Sequence, residues 1–216
     1  MATSERPDRP GAEQWVPPDA DVDAIRAAAP GCRGCELWAP ATQVVVSSGN
    51  ATARVMLVGE QPGDAEDREG APFVGPAGKL LVRAVEEAGL DRREIYLTNA
   101  VKHFRFTPRG KRRIHQTPDL AHITACRPWV EAELQAVDPE VVVPLGATAV
   151  RSVMGPGIKV TQQRGQVVVR EAPDGGERRF VPTVHPSSVL RVPGDDRRAA
   201  YEALVADLRV VADLLG

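Results

Sequence analysis

Residues 54–81 read RVMLVGEQPGDAEDREGAPFVGPAGKLL, and this stretch decides the fold. It opens with a short apolar run at 54–58 that contains β-branched residues, the pattern of a strand buried in a parallel sheet. Gly59, Pro62 and Gly63 end the run, and a helix is predicted over 77–88. In open α/β sheets ligands bind beyond the carboxyl ends of the strands, so Glu60, Gln61 and Asp64 fall where chemistry is usually done. The return segment 72–78 holds one aromatic, Phe73, between glycine and proline turns. Such a ring either anchors its loop or offers a flat wall to a planar ligand. GPAGKLL imitates a phosphate-binding loop but fails its test. Phe73 stands where the first glycine of G-x-x-x-x-G-K-[ST] belongs, and Leu80 replaces the hydroxyl. Nucleoside triphosphate binding is excluded on that ground.

Outward from this stretch, strand and helix signals alternate. A second buried strand at 95–99 ends on Asn99, and a third at 141–145 runs through Gly146 into a helix at 147–154. Segments 166–170 and 180–184 flank Pro173-Asp-Gly-Gly176, a hairpin signal, and the second of them delivers His185-Pro-Ser-Ser188. Upstream, Asp21 caps a helix over 22–29 that stops at Pro30-Gly31, and 42–48 alternates weakly as an edge strand. Asp119 caps a helix over 120–136, and apolar residues at helical spacing over 197–215 close the chain. The class is therefore α/β, with a mainly parallel sheet and helices on both faces. Residues 1–20 carry Pro7, Pro10, Pro17 and Pro18 among charged and small residues. They bury too little to offset ordering and read as a flexible tail. Residues 21–216 form one domain, the default for a chain of 216 residues.

A net charge of −2 neither requires nor excludes nucleic acid, because a local basic patch can sit on a neutral protein. Three cysteines cannot make a paired disulfide framework, which favours a reducing, cytoplasmic setting and a metal or packing role. No apolar signal core opens the chain. The longest apolar run, 141–150, is too short and too broken by Pro144 and Gly146 to span a bilayer, so no membrane partner is expected.

Three constellations carry candidate chemistry. Cys32, Cys35 and Cys126 with one histidine suggest a metal site, His103 being the fourth ligand best placed after a strand. Soft thiolates select zinc or an iron–sulfur cluster, and spacing does not choose between them. Residues 102–118 (KHFRFTPRGKRRIHQTP) show neither helical nor strand period. They hold Lys102, Arg105, Arg109, Lys111, Arg112 and Arg113 without an acid, and so read as a long basic loop suited to phosphates. His115 lies within it. A histidine among cations tends to stay neutral, so it serves as a phosphate contact or as a base or nucleophile. The third set is Glu60, Gln61, Asn99 and His185 at strand ends, converging on one crevice if the strands are adjacent. Amide and imidazole groups can read the edge of a planar heterocycle while Phe73 stacks on its face, as a flipped base is read.

Together these motifs resemble the uracil-DNA glycosylase superfamily, in particular its iron–sulfur family 4 branch. The marks are C-x-x-C at 32–35, GE-x-PG-x at 59–64, PFVGPAGKLL at 72–81, TNAVK at 98–102, CRPW at 126–129 and HPSS at 185–188. Within that branch the chain is most similar to UdgX-type proteins, through GEQPGD-x-ED at 59–67, KHF at 102–104 and KRRIHQTP at 111–118. The resemblance implies a three-layer α/β/α sandwich around a central four-stranded parallel sheet. It implies a [4Fe-4S] cluster held by Cys32, Cys35, Cys126 and His103, the histidine replacing a cysteine of ordinary family 4 members. It implies uracil excision from DNA, preferably single-stranded, by a monomer, ending in a covalent protein–DNA adduct. His115 would attack C1′, Glu60 would support the sugar, and His185 would stabilise the departing base. Gly59, Gln61, Asp64, Phe73, Asn99 and Ser187 would bind substrate, and Lys111, Arg112 and Arg113 would bind DNA. The rival expectations are an ordinary turnover glycosylase using water and a non-catalytic binder of single-stranded or abasic DNA.

Overall fold

The computed structural model describes residues 9–171 and 176–216. In chain order its strands are β1 (Ser47–Gly49), β2 (Val55–Gly59), β3 (Ile95–Asn99), β4 (Phe106–Arg109), β5 (Arg112–His115), β6 (Val141–Pro144), β7 (Val168–Glu171) and β8 (Glu177–Phe180). Its helices are α1 (Val22–Ala28), α2 (Asp64–Glu69), α3 (Pro76–Glu87), α4 (Leu120–Val137), α5 (Ala147–Met154), α6 (Val160–Gln163), α7 (Pro186–Arg191) and α8 (Asp196–Leu215).

Among the described residues the main sheet has six strands in the order β1-β3-β2-β6-β8-β7. Its inner four, β3, β2, β6 and β8, are parallel, and β1 and β7 join antiparallel at the edges. The expected four-stranded parallel sheet is thus the centre of a mixed one. Every residue of β2 and β6 is buried, which a strand covered on both faces requires. Val55 and Leu57 pack with Leu81 and Val85 of α3 and Leu204 and Leu208 of α8. Met56 and Val58 face the other way, onto Val130 and Leu134 of α4 and Val150 of α5. This alternation places helices on both faces and makes the three layers.

Several boundaries differ from expectation. The edge strand predicted over 42–48 narrows to Ser47–Gly49, and the last parallel strand ends at Phe180, with a single further bridge between Leu145 and Thr183. Residues 173–175 of the predicted hairpin turn lie outside the described residues, but β7 and β8 pair antiparallel as that turn requires. Of the expected tail, residues 1–8 also lie outside them. Beyond that point the chain is packed. Arg9 donates to Glu36 at 2.6 and 2.8 Å and to Asp119 at 2.9 Å, and Ala12 is buried.

The stretch read as a structureless basic loop is the main correction. Residues 106–115 form a two-stranded hairpin apart from the main sheet, with Phe106 opposite His115 and Arg109 opposite Arg112. Its strands are largely solvent-exposed, so no buried face imposes the apolar alternation by which strands are recognised.

Candidate active site

The carboxyl ends of β2, β3 and β6 and the start of α7 enclose a cleft of about 690 Å³. Its walls include Glu60, Phe73, Asn99, His115, His185 and Arg191, so the strand-end groups and the hairpin histidine do converge. Asn99 ends β3 opposite Gly59 in register and is 2% exposed. Its carboxamide has no hydrogen-bond partner among the described residues and borders the cleft. Gly59 is what allows the approach: a β-carbon there would collide with the Asn99 carboxamide and the Phe73 ring. Phe73 itself sits at φ 58°, a left-handed conformation that is costly for an aromatic residue. The Phe73 and His185 rings lie 6.4 Å apart with 27° between their planes.

His185 caps α7. Its Nδ1 accepts from the Ser187 backbone N–H at 3.2 Å and lies 2.8 Å from Ser187 Oγ. With Nδ1 acting as acceptor, the proton of the neutral ring resides on Nε2. Burial, reinforced by His115 and Arg191, holds its pKa down at about 4, so the ring is neutral at pH 7. Ser187, expected to bind substrate, thus orients His185.

Glu60 is gripped from one side and faces a histidine on the other. Thr148 Oγ1 donates to its Oε2 at 2.6 Å, and His115 Nε2 lies 3.4 Å from its Oε1. The His115 pKa is lowered, chiefly by burial, with Arg191 also lowering it and Glu60 opposing. The imidazole is therefore neutral near pH 7, in a position to attack or to accept a proton.

What brings His115 here is a clamp on the hairpin. Gln61, expected to bind substrate, spends its amide on the hairpin backbone: Nε2 donates to Arg105 O at 3.2 Å and Gln116 O at 3.1 Å, and Oε1 accepts from Arg105 N at 3.0 Å. Asp64 likewise turns from the ligand to the hairpin. It accepts from Arg113 Nε, while Arg113 Nη1 donates to the fully buried Asp67 at 2.5 Å. Arg113 also lies over the Phe104 and Phe106 rings, at 5.4 and 5.1 Å. So Arg113 is not free for a phosphate. Lys102 is also withdrawn, buried against Glu133, and Arg105 donates to Thr117 O. Arg109, Lys111 and Arg112 remain exposed at the hairpin tip.

Three further residues complete the site. Thr148 orients Glu60 but looks in the sequence like any residue at the start of a helix. Glu66 accepts from Gly63 N at 3.1 Å and Gly75 N at 2.9 Å, tying α2 to the Phe73 loop. Its signal was the acid three residues after the helix cap, the spacing of a capping box. Arg191 puts a cation at the cleft, and only its place six residues after His185 hinted at it.

The expected metal ligands are brought together in part. Cys32, Cys35 and Cys126 share one buried cluster with Trp129. Trp129 Nε1 donates to Cys32 Sγ and Lys102 N to Cys126 Sγ, each at 3.3 Å. Burial pushes the Cys35 and Cys126 thiols up to about 11 and about 12. His103 is buried too, but it lines a second cleft with Arg26, Arg33 and Trp38. Among the described residues no three His, Cys, Asp or Glu side chains are arranged to hold a metal ion. The thiols pack as small apolar groups. Their softness, burial and N–H donors nevertheless suit a thiolate-ligated cluster.

A model of the uracil DNA glycosylase superfamily matches residues 46–209, which span the cleft from β2 through α7. The chain belongs to the uracil-DNA glycosylase superfamily. It is 38% identical over 161 residues to a type-4 uracil-DNA glycosylase of Thermotoga maritima, covering 74% of this chain and 78% of that one. It is 36% identical to one from Sulfurisphaera tokodaii, covering 75% of this chain and 72% of the other. A third, from Archaeoglobus fulgidus, is 32% identical over 189 residues, 86% of this chain and 88% of its own. The superfamily match takes in Glu60, Phe73, Asn99, His115 and His185 but not Cys32 and Cys35, which precede it. No described helix is long and apolar enough to cross a membrane.

Proposed function

We propose that this superfamily member excises uracil from DNA and captures the resulting sugar on His115, as a UdgX-type enzyme that forms a covalent adduct. The observation that carries the reading is the His115 imidazole at the cleft, clamped by its hairpin with Nε2 3.4 Å from the Glu60 carboxylate. The type-4 uracil-DNA glycosylases similar to this chain support the excision half of the reading.

In this mechanism uracil is flipped into the cleft, stacks on Phe73 and meets the Asn99 carboxamide. Asn99 supplies an N–H to O4 and a carbonyl to N3–H, whereas cytosine presents the opposite pair. The C1′–N1 bond breaks with its electron pair leaving on the base. His185 Nε2–H donates to O2 and stabilises that anion, while the Glu60 carboxylate balances the cationic sugar. The nitrogen of His115 turned away from Glu60 then bonds to C1′, and Glu60 takes up the proton from the other nitrogen. Nothing but proximity separates this from hydrolysis. A ring held in place has an effective concentration that water cannot match.

The exposed Arg109, Lys111 and Arg112 would hold backbone phosphates. Single-stranded DNA is the preferred partner, since its bases need no unpairing before they enter the cleft. The cleft is complete within one chain, which suits a monomer, and unpaired cysteines suit the cytoplasm. Cys32, Cys35, Cys126 and His103 would hold a [4Fe-4S] cluster. Its contribution would be structural, cross-linking the N-terminal segment, the end of β3 and α4.

The test is to mix the protein with a uracil-containing oligonucleotide and resolve it on a denaturing gel. A shifted protein band is expected. Fragmentation of the tryptic peptide that begins at Ile114 should place the sugar on His115 and not on His122, which shares that peptide. Free abasic DNA without a shifted band would instead identify an ordinary turnover glycosylase, and untouched DNA a binding module.

A further inference from the structure

Beneath the cleft, Lys102 and Glu133 form an ion pair out of contact with solvent. Their side chains are 1% and 0% exposed, and Nζ lies 2.6 Å from Oε2. Taking two charges out of water costs several kcal/mol per ion, which the attraction repays only when every proton and lone pair is used. Here they are. Lys102 Nζ also donates to Thr98 Oγ1 at 2.6 Å and to the backbone carbonyl of Asn99 at 2.9 Å. Glu133 meets the hydroxyls of Thr98 at 2.8 Å and Tyr96 at 3.3 Å. A buried pair of this kind often adds nothing to stability over apolar residues of the same volume, so its position is the informative feature.

That position is the turn on which the site depends. Ala100 N–H donates to Gly59 O at 2.9 Å and Val101 N–H to Glu60 O at 3.0 Å, so residues 99–102 carry both Asn99 and the backbone of Glu60. The Lys102 ammonium fixes the peptide of Asn99 from below, and Glu133 of α4 fixes the ammonium. Lys102 also spends its own backbone on neighbours, its N–H on Cys126 Sγ and its carbonyl on Val45 N–H at 2.9 Å.

We propose that Lys102 and Glu133 are positioning residues for base recognition, aiming the Asn99 carboxamide by holding its peptide carbonyl. This rests on Asn99 reading the base, as argued above. The pair touches no substrate and acts only through Asn99. That makes the proposal separable from a purely structural role.

The experiment is a mutant cycle. Single-turnover excision of uracil from an oligonucleotide is measured for the parent protein, for Asn99→Ala, for the apolar double variant Lys102→Met with Glu133→Leu, and for all three substitutions together. The double variant should melt near the parent temperature and bind uracil-free oligonucleotide as the parent does. Its excision rate should fall about tenfold or more, yet less than about twofold in the Asn99→Ala background, the signature of groups acting as one unit. Equal losses in both backgrounds, or no loss in either, would overturn the positioning role. An Asn99→Ala protein that excises at the parent rate would overturn the reading of Asn99 itself, a different failure visible in a different arm. If the apolar pair does not fold, Lys102→Met with Glu133→Gln, which removes both charges and keeps an amide for the Thr98 and Tyr96 hydroxyls, goes through the same cycle under the same criteria.

Discussion

Arg113→Ala should separate base excision from adduct formation. Arg113 is 15% exposed and joins β5 to α2 through Asp64 and Asp67, with a further bond to Thr42 Oγ1 at 3.0 Å. Hydrogen bonds to charged groups contribute about 1.5–3 kcal/mol each. The Asp67 bond is made to a fully buried carboxylate and retains its worth, whereas Asp64 is 44% exposed and its share is discounted for screening. The docked hairpin should therefore lose about 3 kcal/mol, a roughly hundredfold smaller docking equilibrium constant at 1.4 kcal/mol per decade. Glu60 follows β2, Asn99 ends β3 and His185 caps α7, so these groups are held without the hairpin and should stay in place. In a single-turnover time course, denaturing gels read the adduct and alkaline cleavage reads abasic sites. The adduct rate should drop, by up to about two orders of magnitude, while uracil release stays within a few-fold of parent. Arg112→Ala, on the exposed side of the same hairpin, should weaken DNA binding in a salt-dependent way and leave capture intact. Adduct formation at the parent rate in Arg113→Ala would refute the clamp. Equal loss of excision and capture would show instead that Arg113 supports the whole site.

Other expectations follow from the same geometry. His115→Gly should abolish the denaturant-stable adduct and leave uracil release, now with turnover, because water fits where the ring stood; an undiminished adduct would place the nucleophile elsewhere. For His185 the unfolded chain binds more protons than the folded one between about pH 6.5 and 4, so stability should fall as pH drops through that window. The full difference is roughly 3 kcal/mol. A His185→Gln protein should show a flatter pH dependence in chemical denaturation, and one as steep as parent would contradict the assignment. Cys126→Ala should lower solubility and melting temperature more than base recognition. Iron analysis of the parent protein checks the proposed cluster, since stoichiometric zinc without iron would remove it.

The apolar run of β2 and β6, unbroken because both faces are covered, declared parallel strands without any knowledge of their neighbours. Polar residues at the ends of such strands must share an edge, and on that ground Glu60, Asn99 and His185 could be brought to one crevice from the sequence. The cysteines could be paired with a metal chemistry but not with a geometry. Phe73 could be placed against the cleft, but its left-handed backbone and its collision course with any side chain at position 59 could not.

The hairpin is where sequence reasoning stopped. Residues 102–118 contain no acid, so six cations looked free, yet Lys102 meets Glu133 thirty-one residues on and Arg113 meets Asp64 forty-nine residues back. Gln61 and Asp64 looked like ligand contacts for the same reason, because their true partners are hairpin groups distant in the chain. Thr148 carried no signal at all, its role existing only once α5 starts beside Glu60. What the sequence by itself determined is the set of elements, the buried strands and the chemical groups at their ends, since backbone preference and burial pattern are written into short windows. Which charges are consumed, and which histidine stands within reach of Glu60, was decided only by tertiary structure, because ion pairs and clefts are made between segments that no local pattern relates.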